Sequence, residues 1–159
     1  MTGIGFEEYC AARGKALLRV AYALTGNLAD AEDLLQTALL KSYRHWSRID
    51  EPDAYVRKAM VRTHVGRRRR REYATADLPE TAAPATRDGH TEARDEVLRM
   101  LASLGARQRT ILVLRYMLDL PDAAIAAELG ITESTVRTQA FRALAKLRAR
   151  HGSHSMPGA

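Results

Sequence analysis

The 159-residue sequence predicts an all-α protein made of two small helical domains. Apolar residues recur at helical spacing in residues 1–73 and again in residues 95–150, and neither block shows the alternation typical of a strand. Residues 74–94 hold one large aliphatic side chain, Leu78, so this segment lacks the apolar surface needed to offset its ordering entropy. We therefore expect a domain at 1–73, a flexible linker at 74–94, a second domain at 95–150 and a disordered tail at 151–159.

The first domain is predicted to be a bundle of three helices. The first helix runs from about residue 6 to 24 and is broken around Gly26. The second runs from about residue 29 to 46, because apolar residues recur there at 3.6-residue spacing. The third starts near Asp53, behind Pro52, since proline and acids are both favoured in a first helical turn.

The second domain is predicted to contain four shorter helices, punctuated by Gly105, Pro121 and Gly130. Their expected bounds are residues 95–104, 107–118, 122–129 and 133–149. The last two form a helix-turn-helix: Gly130 provides the left-handed corner, Thr132 caps the second helix and Val136 fills the angle between the helices. An ordinary helical hairpin with a solvated basic face is the alternative.

The outward face of the last helix carries the residues expected to contact DNA. Short hydroxyls near a helix N-terminus suit phosphate contacts, and an arginine in the second turn suits bidentate recognition of guanine. The candidate residues are Ser134, Thr135, Arg137, Thr138, Arg142 and Lys146.

A second candidate DNA surface is the basic run at the end of the third helix. It contains eight Lys or Arg residues and no acid between Arg57 and Arg71, which favours phosphate contacts over a merely solvated charge run. The candidate residues are Arg57, Lys58, Arg62, Thr63, His64, Arg67, Arg68, Arg69, Arg70 and Arg71.

The second helix has an acidic and polar side of opposite charge. The residues are Asp30, Glu32, Asp33 and Gln36. An acidic surface on a basic protein indicates a protein partner in addition to nucleic acid. Alternatively, these acids are simply favourable charges in the first turn of a helix.

Composition narrows the class of protein. The net charge of +6 and the pI near 9.8 favour a polyanionic partner, either nucleic acid or an acidic membrane surface. A lone cysteine, Cys10, excludes an intramolecular disulfide and is expected to be buried. No apolar run approaches the length of a membrane span, and Glu7 and Glu8 are unlike a signal peptide, so we expect a cytoplasmic protein without membrane insertion.

An enzymatic function has little support in the sequence. It contains no glycine-rich phosphate loop, no metal-ligand spacing in an ordered segment, and no nucleophile beside an evident base. His151 and His154 lie in the predicted tail, where we expect them to bind no metal. No cofactor is expected.

Three segments resemble the extracytoplasmic-function sigma factors, the smallest class of the bacterial sigma-70 family. They are DAEDLLQTALLKSYRHW, AYVRKAMVRTHVGRRRRRE, and LASLGARQRTILVLRYMLDLPDAAIAAELGITESTVRTQAFRALAKLR. The resemblance implies sigma domain two at 1–73 and sigma domain four at 95–150, and a function in promoter-specific transcription initiation with core RNA polymerase.

The resemblance also implies roles for the candidate sites. The acidic side of the second helix would dock on the clamp helices of the largest polymerase subunit, and the basic run would hold and help open the minus-ten element. The helix-turn-helix would bind the minus-thirty-five element beside the polymerase flap. Anti-sigma factors control many relatives, so one is a further candidate partner.

Two positions depart from the family pattern. Arg62 stands where relatives often carry Asn, and Ala124 stands where a Glu is usual, so the minus-ten specificity and one phosphate or cap contact are not carried over. A free-standing helix-turn-helix repressor or activator remains the alternative function. Such proteins usually dimerise, and no long apolar dimer helix is left over in this sequence.

Overall fold

The computed structural model describes residues 4–74 and 95–151, and within these ranges it contains helices and no strand. The all-helical prediction is confirmed. The helices are α1 (Phe6–Thr25), α2 (Leu28–Tyr43), α3 (Pro52–Ala74), α4 (Glu96–Ala102), α5 (Ala106–Leu112), α6 (Asp122–Leu129) and α7 (Glu133–His151). The chain divides into two compact units, Met1–Thr81 and Ala82–Ala159. Ala74 and His151, the first residues of the predicted linker and of the predicted tail, end α3 and α7. The rest of the linker, residues 75–94, and the rest of the tail, residues 152–159, lie outside the described residues.

The first unit is a bundle in which α1, α2 and α3 all contact one another. Its interior is built from fully buried side chains such as Leu17, Leu24, Leu34 and Met60. α1 ends at Gly26, whose φ of 86° lies in the left-handed region and whose N–H donates to the Tyr22 carbonyl. That glycine ends α1 two residues before α2 begins, so the two helices can fold back on each other.

The second helix is shorter than predicted and ends at Tyr43 instead of Trp46. The Ser42 hydroxyl donates to the Ala38 carbonyl at 2.8 Å, a backbone contact that weakens a helix, and the chain turns through a short 3₁₀ segment at Trp46–Arg48. This turn brings the Trp46 ring back onto α1, where it lies edge-on to Phe6 with centroids 5.2 Å apart. The aromatic residue therefore closes one end of the bundle, which helical spacing alone did not predict.

A polar cluster joins α1 to the start of α3. The buried Tyr9 hydroxyl donates to Asp53 Oδ1 at 2.6 Å, and the Arg13 guanidinium donates to the same carboxylate at 3.1 Å. Burial alone would raise the pKa of Asp53, but the hydrogen bonds from Tyr9 and Arg13 outweigh it and lower that pKa. Burial, together with Asp53, raises the pKa of Tyr9. The cluster therefore fixes the first turn of α3 against α1.

The second unit packs α5 and α6 against α7. Its core includes the fully buried Ile111, Leu114, Ile125 and Val136. The helix predicted at 107–118 is α-helical over Ala106–Leu112 and widens to a π turn over Val113–Met117. The chain then leaves the helix through Asp119, a non-glycine residue with a φ of 53°. Apolar periodicity does not distinguish such a widened turn from a regular helix.

Cys10 is half-buried instead of fully buried as expected. It lies in a shallow groove of about 380 Å³ between α1 and α2, with Gly14 and Leu18 on one wall and Leu35 and Gln36 on the other. Burial raises the pKa of its thiol. The thiol is therefore poorly suited to act as a nucleophile.

Candidate nucleic-acid interface

The turn between α6 and α7 has the geometry of a helix-turn-helix. Gly130 adopts a φ of 70°, and its N–H donates to the Ala126 carbonyl. The Thr132 hydroxyl accepts a hydrogen bond from the Thr135 N–H at 3.1 Å, which caps α7. Val136 is fully buried below the turn. The left-handed corner at Gly130, the helix cap at Thr132 and the buried Val136 therefore occupy the positions that the sequence predicted.

The outer face of α7 presents most of the predicted contacts to solvent. Ser134, Arg137, Thr138, Arg142 and Lys146 are all exposed, whereas Thr135 is half-buried and its hydroxyl lies 2.9 Å from that of Thr132. A helix end with exposed hydroxyls followed by cations matches the chemistry of a DNA phosphate backbone.

Arg137 is weakly restrained in this structure. Its side chain is 57% exposed, and its guanidinium lies 4.0 Å from both Asp122 and Glu133. Asp122 is better engaged by Arg115, at 3.2 Å. Both ion pairs of Arg137 are at the outer limit of such contacts, so a base or phosphate could replace them at little cost.

Phe141 is a candidate contact that the sequence reasoning missed. It is 70% exposed on α7, and it follows Arg137 by four residues and Thr138 by three, so it lies on the same side of the helix. An apolar side chain at such a position can contact a thymine methyl group. The signal was present in the sequence, because position 141 does not belong to the buried stripe formed by Val136, Ala140 and Ala143.

The predicted contacts on α3 do not share one face. Lys58, Arg62, Arg69, Arg70 and Arg71 are exposed, and Arg57 and Arg67 are half-buried. Thr63, His64 and Arg68 are buried, with exposed fractions of 7%, 3% and 8%. Because an α-helix has 3.6 residues per turn, consecutive side chains point in different directions and cannot all face one surface. The expectation that Thr63, His64 and Arg68 contact DNA is therefore corrected.

The buried members of the run have roles inside the bundle. The Thr63 hydroxyl accepts a hydrogen bond from Lys41 Nζ at 3.0 Å. Arg68 pairs with Glu72 at 2.9 Å, one turn further along α3. These contacts hold Thr63 and Arg68 within the first unit.

An exposed aromatic residue extends the outer side of α3. Tyr55 is 39% exposed and precedes Lys58 by three residues and Arg62 by seven, so all three lie on one face. An aromatic ring beside cations is a combination that binds single-stranded nucleic acid by stacking. The sequence reasoning missed Tyr55 because it followed the cationic run and the polar residues within it.

The acidic residues of α2 divide into three environments. Asp30 belongs to the helix cap, since its N–H donates to Asn27 Oδ1 and its carboxylate accepts from Asn27 Nδ2, each at 2.8 Å. Asp33 pairs with Arg67 of α3 at 2.7 Å. Glu32 and Gln36 are exposed and line the groove against α1. The helix-end explanation therefore accounts for Asp30 but not for the other three residues.

The structure thus defines a helical DNA-binding protein with a helix-turn-helix in one unit and a mixed acidic and basic bundle in the other. Comparison with family models gives a match to "Sigma-70 region 2" over residues 11–73 and a match to "Sigma-70, region 4" over residues 94–147. The two matches fall in the two units separately.

Similar proteins agree with these family matches. The chain is 38% identical over 149 residues to an RNA polymerase sigma-E factor of Streptomyces coelicolor, an alignment that covers 90% of this chain and 84% of that protein. It is 29% identical over 153 residues to the sigma factor SigL of Mycobacterium tuberculosis, with 90% and 84% covered.

Solved structures with the same fold include the sigma factor RpoE of Bartonella quintana, in complex with the anti-sigma factor NepR. It has a TM-score of 0.63 at 20% identity, and the match covers 94% of this chain and 98% of that one. The structure of CnrH, in complex with the cytosolic domain of CnrY, has a TM-score of 0.56 at 22% identity, with 94% and 89% covered.

The chain belongs to the sigma-70 family of RNA polymerase sigma factors, in its extracytoplasmic-function class. It is a transcription initiation factor whose partners are core RNA polymerase and promoter DNA. No helix within residues 4–74 and 95–151 is long and apolar enough to cross a membrane. His154 and the side chain of His151 lie outside the described residues.

Proposed function

We propose that this sigma factor uses α2 to dock on core polymerase, α3 to hold and open the minus-ten element, and α7 to read the minus-thirty-five element. The observation that carries the proposal is the outer face of α7, where exposed hydroxyls and cations follow a capped helix-turn-helix corner. Sigma factors are initiation factors without catalysis of their own, and we assign no catalytic residue.

On α7, Arg137 would recognise a base edge. It lies in the second turn, one residue past the buried Val136, and its side chain is exposed. Ser134, Thr135 and Thr138 would contact phosphates near the helix N-terminus. Arg142 and Lys146, further along the helix, would do so at the other end.

On α3, the exposed residues would form the minus-ten surface. Lys58, Arg62 and the arginines at 69–71 would contact the backbone of the separated strand, and Tyr55 would stack on an unpaired base. Separating bases costs a few kcal/mol per extruded base, and stacking and phosphate contacts of this kind offset that cost. The buried Thr63, His64 and Arg68 are not part of the proposed surface.

On α2, the exposed Glu32, Asp33 and Gln36 would contact the clamp helices of the largest polymerase subunit. Together they place two carboxylates and an amide on the outer side of one helix, whose first turn is stabilised by Asp30. A charged surface of this kind favours association with a basic partner surface.

The domain bounds are likewise proposals, with residues 1–73 as sigma domain two and residues 95–150 as sigma domain four. Sigma domain four would also contact the polymerase flap. An anti-sigma factor is a candidate partner, because the Bartonella quintana neighbour was solved in complex with one. Competition between such a protein and core polymerase for the first domain would test this assignment.

The polymerase-docking role is tested with core RNA polymerase from Streptomyces coelicolor, the source of the 38% identical relative. Glu32→Arg should weaken binding to core by about 2–5 kcal/mol if its contact is buried in the complex. The matched control is Glu8→Arg, which reverses an exposed acid on α1.

Equal affinity of the Glu32→Arg variant and the unaltered protein would refute the docking surface. Failure of the unaltered chain to co-elute with core polymerase would favour a helix-turn-helix regulator that acts without polymerase.

A further inference from the structure

Arg67 of α3 reaches across to α2. Its Nη1 donates to Asp33 Oδ2 at 2.7 Å, and its Nη2 donates to Thr37 Oγ1 at 3.0 Å. Asp33 and Thr37 are four residues apart, so both lie on the side of α2 that faces Arg67. One guanidinium therefore bridges two successive turns of the helix assigned to polymerase docking.

The Arg67 side chain is held against α2 by these two contacts. It is 33% exposed, whereas Asp33 is 65% exposed. The planar guanidinium holds a carboxylate and a hydroxyl at the same time, which fixes its orientation. The 2.7 Å hydrogen bond to Asp33 is charge-assisted, and both contacts point the guanidinium at α2.

The carboxylate keeps its capacity to bind a partner while it is held. Arg67 engages Oδ2, and the side chain of Asp33 remains largely exposed, so the other oxygen can accept from a donor on another protein. An acid on a bare helix surface samples several rotamers and must be ordered when it binds. Asp33 is ordered in advance by Arg67, and this lowers the entropic cost of its contact.

We propose that Arg67, braced by Thr37, is a positioning residue for polymerase docking and not a DNA contact. It holds the Asp33 carboxylate in the orientation that core polymerase binds. The proposal rests on the docking role proposed for α2, and it assigns Arg67 to the polymerase side of the first domain, apart from the exposed arginines at 69–71.

The test measures the affinity of the full chain for Streptomyces coelicolor core polymerase in a double-mutant cycle. Arg67→Gln should weaken binding about threefold to tenfold, the range expected when one side chain must be ordered on binding. Asp33→Asn should weaken it further. The double variant should bind no more weakly than Asp33→Asn alone, since Arg67 acts through Asp33.

Three further variants separate the positioning role of Arg67 from a general effect of charge. Arg67→Lys should give an intermediate affinity, because an ammonium can pair with Asp33 but cannot form the two-pronged contact. Arg70→Gln removes an exposed cation of the same run and should leave core affinity unchanged. Thr37→Val removes one of the two partners of the Arg67 guanidinium and keeps the charge. Thermal unfolding of each variant identifies any loss of folding.

A second readout is the salt dependence of promoter binding by the reconstituted holoenzyme. Arg70→Gln should reduce the slope of log K against log salt by about one unit, and Arg67→Gln should not change it. A reduced slope for Arg67→Gln would make Arg67 a phosphate contact and overturn the proposal.

The remaining outcomes are also decisive. Losses that add in the double-mutant cycle would overturn the positioning role of Arg67 and leave the docking role of α2 intact. The same holds if Arg67→Gln binds core polymerase normally while Asp33→Asn binds it more weakly. If Asp33→Asn binds core polymerase as tightly as the unaltered protein, Asp33 does not belong to the docking surface. Arg67 then has no positioning role there.

Discussion

Replacing Arg137 with alanine should relax sequence preference at one base pair of the minus-thirty-five element. A bidentate arginine–guanine pair contributes about 1–3 kcal/mol of discrimination against the wrong base. In the free protein, Arg137 makes two ion pairs at 4.0 Å with a side chain that is 57% exposed. Exposed pairs of this kind contribute about 0–1 kcal/mol, so the variant should fold normally and the loss should appear in binding.

The measurement is a selection of binding sites from a library randomised over the minus-thirty-five element, using holoenzyme. Arg142→Ala is the matched control, because it removes the same charge five residues further along the exposed face of α7. It should weaken binding to all sequences alike and leave the selected site unchanged. If Arg137→Ala also returns the unaltered site, Arg137 contacts only phosphate and the element is read by its shape.

Three further predictions concern the rest of the chain. Replacing Arg69, Arg70 and Arg71 with glutamine should flatten the slope of log K against log salt by about 2–3 units; an unchanged slope with altered promoter preference would contradict phosphate contact. Proteolysis of the free protein should first cut between residues 74 and 94 and release two folded fragments, and early cleavage within 29–46 would refute the domain boundary. Asp53→Asn should destabilise the first domain by about 1–2 kcal/mol at neutral pH, discounted because the carboxylate is 40% exposed. Because folding lowers the pKa of Asp53 below its ordinary value of 3.8, its contribution should be complete above that pH and disappear as the pH falls through the folded value. The difference in unfolding free energy between Asp53→Asn and the unaltered protein should therefore shrink on acidification. A difference that does not change with pH would contradict the stabilising role of the Tyr9–Asp53–Arg13 cluster. The control is Asp50→Asn, which alters an exposed acid.

The helices and the helix-turn-helix could be predicted because their signals are local. Gly130, Thr132 and Val136 each have a distinct backbone or packing requirement, and the structure places all three where the spacing predicted. The end of α2 could not be predicted in this way. Trp46 continues the apolar spacing of that helix, but it packs back onto Phe6 through a turn that depends on contacts distant in sequence.

The charged surfaces could be located from the sequence, but the sequence did not show which of their residues are exposed and which are buried or paired. A run of arginines indicates a basic helix, while burial of Arg68 and the pairing of Arg67 with Asp33 depend on how α3 is rotated against α2. The sequence gives no measure of that rotation. Tyr55 becomes a candidate only when its exposure is known, because an aromatic residue in a helix is otherwise assigned to the core. Phe141 differs, since its position outside the buried stripe of α7 already sets it apart in the sequence.

The most direct test of promoter recognition by this protein is run-off transcription from a genomic DNA library by Streptomyces coelicolor core polymerase, with and without the protein. We expect a small set of discrete start sites that require the protein and share sequence elements near minus ten and minus thirty-five. A variant carrying both Arg137→Ala and Arg142→Ala should still bind core polymerase and lose these transcripts. If the start sites are identical with and without the protein, under conditions where it is bound to core polymerase, the protein does not direct promoter recognition.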